Sequence, residues 1–89
     1  MIISFDHSFS KSLDKLKERQ IIDRLNELII SMEKAEYLRD IPGIKPMNSH
    51  PGYYRIRIGD YRVGFELKRK AEILLILVAH RKDIYKRFP

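Results

Sequence analysis

Three arginines, Arg55, Arg57 and Arg62, fall on two short stretches of strict polar/apolar alternation, 53–58 and 61–65, joined by Gly59-Asp60. Glycine first in a two-residue connection is the preference of a type II′ hairpin turn. That turn fixes a register in which Ile58 faces Tyr61, Arg57 faces Arg62, Ile56 faces Val63 and Arg55 faces Gly64. Successive strand residues point to opposite faces. Arg55, Arg57 and Arg62 therefore share one face, and Ile56, Ile58, Tyr61, Val63 and Phe65 share the other. Arg57 and Arg62 then stand directly across from each other, an arrangement that destabilises a sheet. A chain that keeps it has use for a concentrated positive field, and the natural counterpart is phosphate.

The charge distribution agrees with that reading. The chain has 89 residues and a formal net charge of +6. The first 49 residues balance eight Lys/Arg against eight Asp/Glu, and the rest hold ten against four. The whole excess lies in the half that carries the arginines, which points to nucleic acid or another polyanion. There are no cysteines. Disulfides, thiolate catalysis and cysteine-based zinc sites within this chain are thereby excluded. The longest apolar run, 73–79, is far short of a membrane span and suits a buried strand. The first residues carry neither a basic n-region nor a long apolar h-region. The expected location is the cytoplasm, with no membrane partner.

The elements that must position the arginines follow from periodicity. Residues 2–5 read as a first strand, and Asp6 or Ser8 can cap the helix after it. Phe9, Leu13 and Leu16 recur on a single helical face. A second helix is predicted over 18–34, with Ile21, Ile22, Leu25, Leu28, Ile29 and Met32 as its apolar stripe and Arg19, Asp23, Arg24 and Glu27 opposite. Pro42-Gly43, Pro46, Asn48-Ser49 and Pro51 mark 38–51 as a loop with room for one short helical turn. The hairpin follows. Lys68-Arg69-Lys70 reads as a second turn, and 72–79 as a last strand, apolar at nearly every position and hence central. A helical turn is expected from about Asp83. The order β-α-α-β-β-β describes one α+β domain over 1–89: a small, mostly antiparallel four-stranded sheet with two N-terminal helices packed on it.

With Tyr54-Arg55-Ile56-Arg57-Ile58-Gly59-Asp60-Tyr61-Arg62-Val63, the apolar strand 73–78 and the ending Ala79-His80-Arg81-Lys82-Asp83-Ile84-Tyr85, the chain resembles the RelE/ParE toxin superfamily, and in particular the RelE-type messenger-RNA interferases. The resemblance covers nearly the whole length. It implies a toxin of a toxin–antitoxin pair, partnered by a cognate antitoxin, that enters the ribosomal A site and cleaves the mRNA there. The implied reaction is attack of the ribose 2′-OH on the adjacent phosphate, leaving a 2′,3′-cyclic phosphate and a 5′-OH, with no metal or other cofactor.

Such a reaction needs a proton acceptor for the 2′-OH, positive charge for the phosphorane and an acid for the leaving oxygen. The resemblance assigns Arg62 to the scissile phosphate, Arg81 to the leaving group and Tyr85 to orienting or stacking on the nucleotide. Arg55 and Arg57 match positions often held by lysine, one of them a proposed general base, so Arg57 joins the catalytic set. Arg55, Lys82 and His80 fall to RNA phosphate. A guanidinium keeps its proton, with a pKa above about 12, and is a poor base. Three accounts stay open: largely electrostatic catalysis, His80 as base, or weak activity. His7 and His50 read as incidental. The alternative function is a ParE-type toxin that inhibits DNA gyrase without cutting RNA. A third is a degenerate toxin that only binds its antitoxin.

Overall fold

The computed structural model describes residues 1–69 and 71–89. Its elements are β1 (Ile2–Phe5), α1 (His7–Asp14), α2 (Arg19–Lys34), a 3-10 turn (Leu38–Asp40), β2 (Ile44–Pro46), β3 (Tyr53–Ile58), β4 (Tyr61–Arg69), β5 (Glu72–His80) and α3 (Ile84–Arg87). β3 and β4 pair antiparallel in the expected register, with Ile58 opposite Tyr61, Arg57 opposite Arg62, Ile56 opposite Val63 and Arg55 opposite Gly64. Gly59 has φ +62° and Asp60 does not share that left-handed conformation, the pattern of a type II′ turn.

The sheet has five strands in the order β1-β5-β4-β3-β2, one more than the four expected. The added strand, β2, lies in the stretch read as a loop and pairs Ile44, Lys45 and Pro46 with Ile56, Arg55 and Tyr54. Three residues ending in proline carry almost no periodic signal, and proline in a sheet is confined to such edges. The helical turn expected in the same stretch is the 3-10 segment. β1 runs parallel to β5; every other pairing is antiparallel. Of the predicted turn at 68–70, Lys68 and Arg69 belong to the end of β4, and Lys70 lies outside the described residues.

β5 is central, as its apolar run predicts, and it contains an irregularity that matters for the site. Phe65 pairs with Leu75, but Gly64 pairs with Leu77, so Ile76 is an extra residue on β5. A bulge of this kind reverses which face the following residues point to. Ile73, Leu75 and Val78 join the core under the helices, while Leu77 and Ala79 join a second cluster on the other face.

The main core packs Phe9, Ile21, Leu25 and Met32 against Ile56, Val63, Phe65, Ile73 and Leu75. Apolar burial of this kind is worth roughly 1.5–3 kcal/mol per large side chain. α1 departs from its predicted face: Leu13 is exposed, and Ser12 is buried beside Phe9, with Leu16 buried just past the helix end. α1 lies along the edge of β5 where β1 stops. The Ser12 hydroxyl accepts from the Val78 N–H at 3.1 Å and donates to the Phe9 carbonyl at 2.8 Å. Ser8, one turn earlier, shares its single hydroxyl proton between the Ile76 carbonyl, at 2.7 Å, and the Asp6 carboxylate. Two serines at i and i+4 thus take over the hydrogen bonding that β1 leaves unmade.

The opposite face of the sheet is capped by the C-terminal segment. Ile84 and Phe88 are buried against Leu77 and Ala79, with Met47, Tyr53 and Ile76 around them. This places α3 on the face that carries the arginines.

Candidate phosphate-binding site

The basic face is divided in two by this packing. At the hairpin end, Arg57 Nε and Arg62 Nη1 both donate to the Gly59 carbonyl, at 3.4 and 3.1 Å, and Arg62 also donates to the Tyr61 carbonyl at 3.0 Å. The two opposed cations are held at one turn by neutral carbonyl oxygens. Arg81 approaches the same turn from the end of β5. Its N–H donates to the Asp60 carbonyl at 2.7 Å, and its guanidinium stands 3.9 Å from the Asp60 carboxylate. That ion pair is exposed and adds little to stability. On the basic face, three guanidinium groups therefore gather at a turn that holds one carboxylate, which leaves positive charge in excess for an incoming anion.

The bulge at Ile76 decides which C-terminal residue joins them. Arg62 pairs with Ala79, and Tyr61 pairs with His80. His80 consequently points to the helical side, where its ring meets Tyr61 edge-on at 5.5 Å. Its Nδ1 accepts from the Lys82 N–H at 3.2 Å, so the neutral ring carries its proton on Nε2. There it borders an open hollow of about 440 Å³ with Ser12, Lys15, Tyr61 and Asp83. The structure does not bring His80 together with Arg57 and Arg62. Tyr61 is no base either. Hydrogen bonding to the Glu18 carboxylate, then burial, then the negative charges of Glu18, Asp60 and Asp83 push its phenol above the ordinary value.

The second half of the face is a groove beside α3. Arg55 lies with its guanidinium carbon 5.6 Å from the centre of the Tyr85 ring, a cation–π contact. Tyr85 is half exposed, at 53%. Met47, Asn48, His50 and Phe88 complete the groove. Of the residues expected from the sequence, Arg57, Arg62 and Arg81 meet at the turn, and Arg55 and Tyr85 meet in the groove. Lys82 is exposed on the loop between β5 and α3.

Two residues escape a reading of the sequence. Arg24 of α2 reaches the hairpin turn: a side chain at Gly59 would stand 3.2 Å from its Nη1. The helical period places Arg24 off the apolar stripe but cannot show that the turn leans on α2. His50 shares the groove with Arg55 and Tyr85. No local signal marks it, because the β2–β3 connection that puts it there is set by tertiary pairing. Among the described residues, no group of three or more His, Asp or Glu is placed to hold a metal ion, and no helix is long and apolar enough to cross a membrane.

A small sheet with two helices on one face and an arginine cluster on the other is the architecture of a toxin family. Residues 3–85 match the family described as ParE toxin of type II toxin-antitoxin system, parDE. The chain belongs to the RelE/ParE family of type II toxins. It is 36% identical to Toxin RelE3 of Methanocaldococcus jannaschii over the full length of both chains. It superposes on a chain of the RelB-RelE antitoxin-toxin complex from Methanococcus jannaschii with a TM-score of 0.81, at 34% identity, covering 97% of this chain and 99% of that one. The fold extends to a chain of the DinJ-YafQ complex of E. coli, with a TM-score of 0.62 at 17% identity over 93% and 96% of the two chains.

Proposed function

We propose that this toxin is a ribosome-dependent endoribonuclease that cuts mRNA in the A site. The observation that carries the reading is the convergence of Arg57, Arg62 and Arg81 on the Gly59-Asp60 turn, on the face whose other half presents an exposed Tyr85. In this mechanism the ribose 2′-oxygen attacks the adjacent phosphorus. Arg57 and Arg62 receive the charge that grows on the phosphoryl oxygens, and stabilising that charge is the main contribution of a preorganised site. Arg81 stabilises the departing 5′-oxygen. Tyr85, with Arg55 behind it, stacks on a base, and Lys82 meets backbone phosphate. The guanidinium groups provide the positive charge, so the scheme requires no metal.

The mRNA must be bent into line for that attack. Correct in-line geometry is worth several kcal/mol, and this short open face has no second wall to impose it. The ribosome is the partner that does. The other partner is a cognate antitoxin, a reading supported by the complexes in which the similar toxin chains are found. Both partners imply a cytoplasmic location.

Primer extension on an mRNA programmed into purified ribosomes tests the reading. The expected result is cleavage within the A-site codon, with 2′,3′-cyclic phosphate ends, and slow cleavage of the same RNA alone. Equal cleavage without ribosomes would remove the A-site mechanism. No cleavage, together with inhibition of gyrase supercoiling, would establish the second reading, which the ParE description of the matched family favours.

A further inference from the structure

We infer that His80 is a positioning residue for Arg81, an assignment that rests on the nuclease reading above. Its ring lies on the helical side and does not join the arginines at the turn. It acts on them through the backbone. His80 Nδ1 accepts from the Lys82 N–H at 3.2 Å. A side chain that accepts from the N–H two residues on closes a ring around the residue between them, as an Asx turn does. The residue so enclosed is Arg81, and its torsions set the direction in which the guanidinium leaves the chain.

The segment that presents Arg81 has three successive N–H groups, each with an acceptor. The Arg81 N–H donates to the Asp60 carbonyl at 2.7 Å, and the Asp83 N–H donates to the His80 carbonyl at 2.8 Å. Both of those acceptors are backbone carbonyls, which accept at any pH. The middle acceptor is an imidazole. It accepts only while neutral, because protonation puts a hydrogen on both ring nitrogens. The charged ring then meets the Lys82 N–H donor to donor, and the closure around Arg81 opens. The guanidinium has little else to fix it, since its exposed contact with the Asp60 carboxylate is 3.9 Å long.

The imidazole is itself held. It packs edge-on against Tyr61, its cross-strand partner on β4, whose hydroxyl bonds to the Glu18 carboxylate. Lys15 beyond α1, Asp83 before α3, and Lys86 and Arg87 on α3 are the other charged groups around the same hollow.

Single-turnover cleavage of ribosome-bound mRNA tests the assignment with two substitutions. His80→Phe keeps a ring against Tyr61 but has no acceptor. His80→Asn places Oδ1 where Nδ1 stood, an acceptor that does not titrate. Near neutral pH, His80→Phe is expected to be slower than wild type by about tenfold, a part of the roughly 10²-fold that a displaced group can cost. His80→Asn should recover most of that loss. In an Arg81→Ala background, His80→Phe should add no further loss, because the group it positions is gone. Lowering the pH from about 7.5 to 5.5 crosses the range in which an imidazole titrates. Over that interval the wild-type rate should fall relative to that of His80→Asn. The Val78 amide should stay protected from exchange in both variants, as an intact fold requires. A His80→Phe loss below about threefold, or an equal loss with and without Arg81, overturns the positioning role and leaves the nuclease reading intact. A ratio of wild-type to His80→Asn rates that is constant with pH does the same. Wild-type protein that leaves ribosome-bound mRNA uncut overturns the nuclease reading and the assignment with it.

Discussion

The ring of Phe88 occupies the space that a side chain at Gly64 would take. A Cβ built on Gly64 would stand 2.7 Å from two of its ring carbons. Gly64 lies opposite Arg55 in the middle of the basic face, so this contact seats α3 there. Gly64→Ala must push the ring away, and overpacking of this kind costs about 1–3 kcal/mol. The expected outcome is a lower urea midpoint. In a double-mutant cycle, Phe88→Ala should cost less in the Gly64→Ala background than alone, since the two changes act on one contact. Additive effects would show that the ring finds room elsewhere.

Ser12 is the one buried polar residue among the described residues, and its hydroxyl both accepts from Val78 and donates to Phe9. Ser12→Ala leaves the Val78 N–H buried without a partner, which costs about 1–3 kcal/mol. Ser10→Ala, on the exposed side of the same helix, should change stability by less than about 0.5 kcal/mol. Hydrogen exchange gives a second readout: the Val78 amide should lose protection in the first variant only.

Asp6 caps α1, accepting from both the backbone N–H and the hydroxyl of Ser8. The side-chain bond from Ser8, then the backbone bond, hold its carboxyl below the ordinary value, assisted by His7. A carboxyl depressed on folding contributes stability above its unfolded pKa and loses it as the pH falls through the folded one. Stability should therefore decline below about pH 4, the ordinary aspartate range. Asp6→Asn keeps a capping oxygen but cannot titrate, so its stability should fall less steeply over that interval. Parallel curves for the two proteins would show that Asp6 has no part in the acid limb.

The hairpin is legible in the sequence because three signals agree: alternation, a turn-forming Gly-Asp pair and the strand lengths on either side. The register then places Arg57 against Arg62 with no knowledge of the rest of the fold. α2 is legible from its stripe, with Glu18 at the N-cap position, its side chain making no capping bond, rather than in the first turn. The buried face of α1 is legible in part: Phe9 and Leu16 are buried as their spacing predicts, but Leu13 is exposed and Ser12 is buried to satisfy the edge of β5. β2 is too short to be periodic. The bulge at Ile76 sits in a run apolar on both sides, where one extra residue leaves no trace. It turns His80 to the helical side; the expectation that His80 joins the site rests on its imidazole chemistry and its place after the strand, and neither registers the bulge. His50 reaches the groove only through the pairing of β2 with β3.

The arginine cluster separates catalysis from folding. Arg62 is half-buried and bonded to two carbonyls, while Arg81 is exposed and paired loosely with Asp60. Each is set to meet charge that appears only in the transition state, so Arg62→Ala and Arg81→Ala should slow single-turnover cleavage by about 10²-fold or more. Neither removes a core contact, so unfolding free energies should stay within about 0.5 kcal/mol of wild type. For Arg62→Ala, relief of the repulsion with Arg57 offsets part of the lost hydrogen bonding. Arg62→Lys should recover little, because an ammonium is a compact point charge that cannot reproduce the planar fork. Ribosome affinity should fall only modestly and remain steeply salt-dependent, since many other cations share the phosphate contacts. Arg24→Ala is the internal control, a cation near the same turn but carried by α2 on the far side of the sheet, and its cleavage rate should stay close to wild type. Variants at Arg62, Arg81 and Tyr85 that all remain as toxic as wild type in cells would end the nuclease reading and turn attention to gyrase.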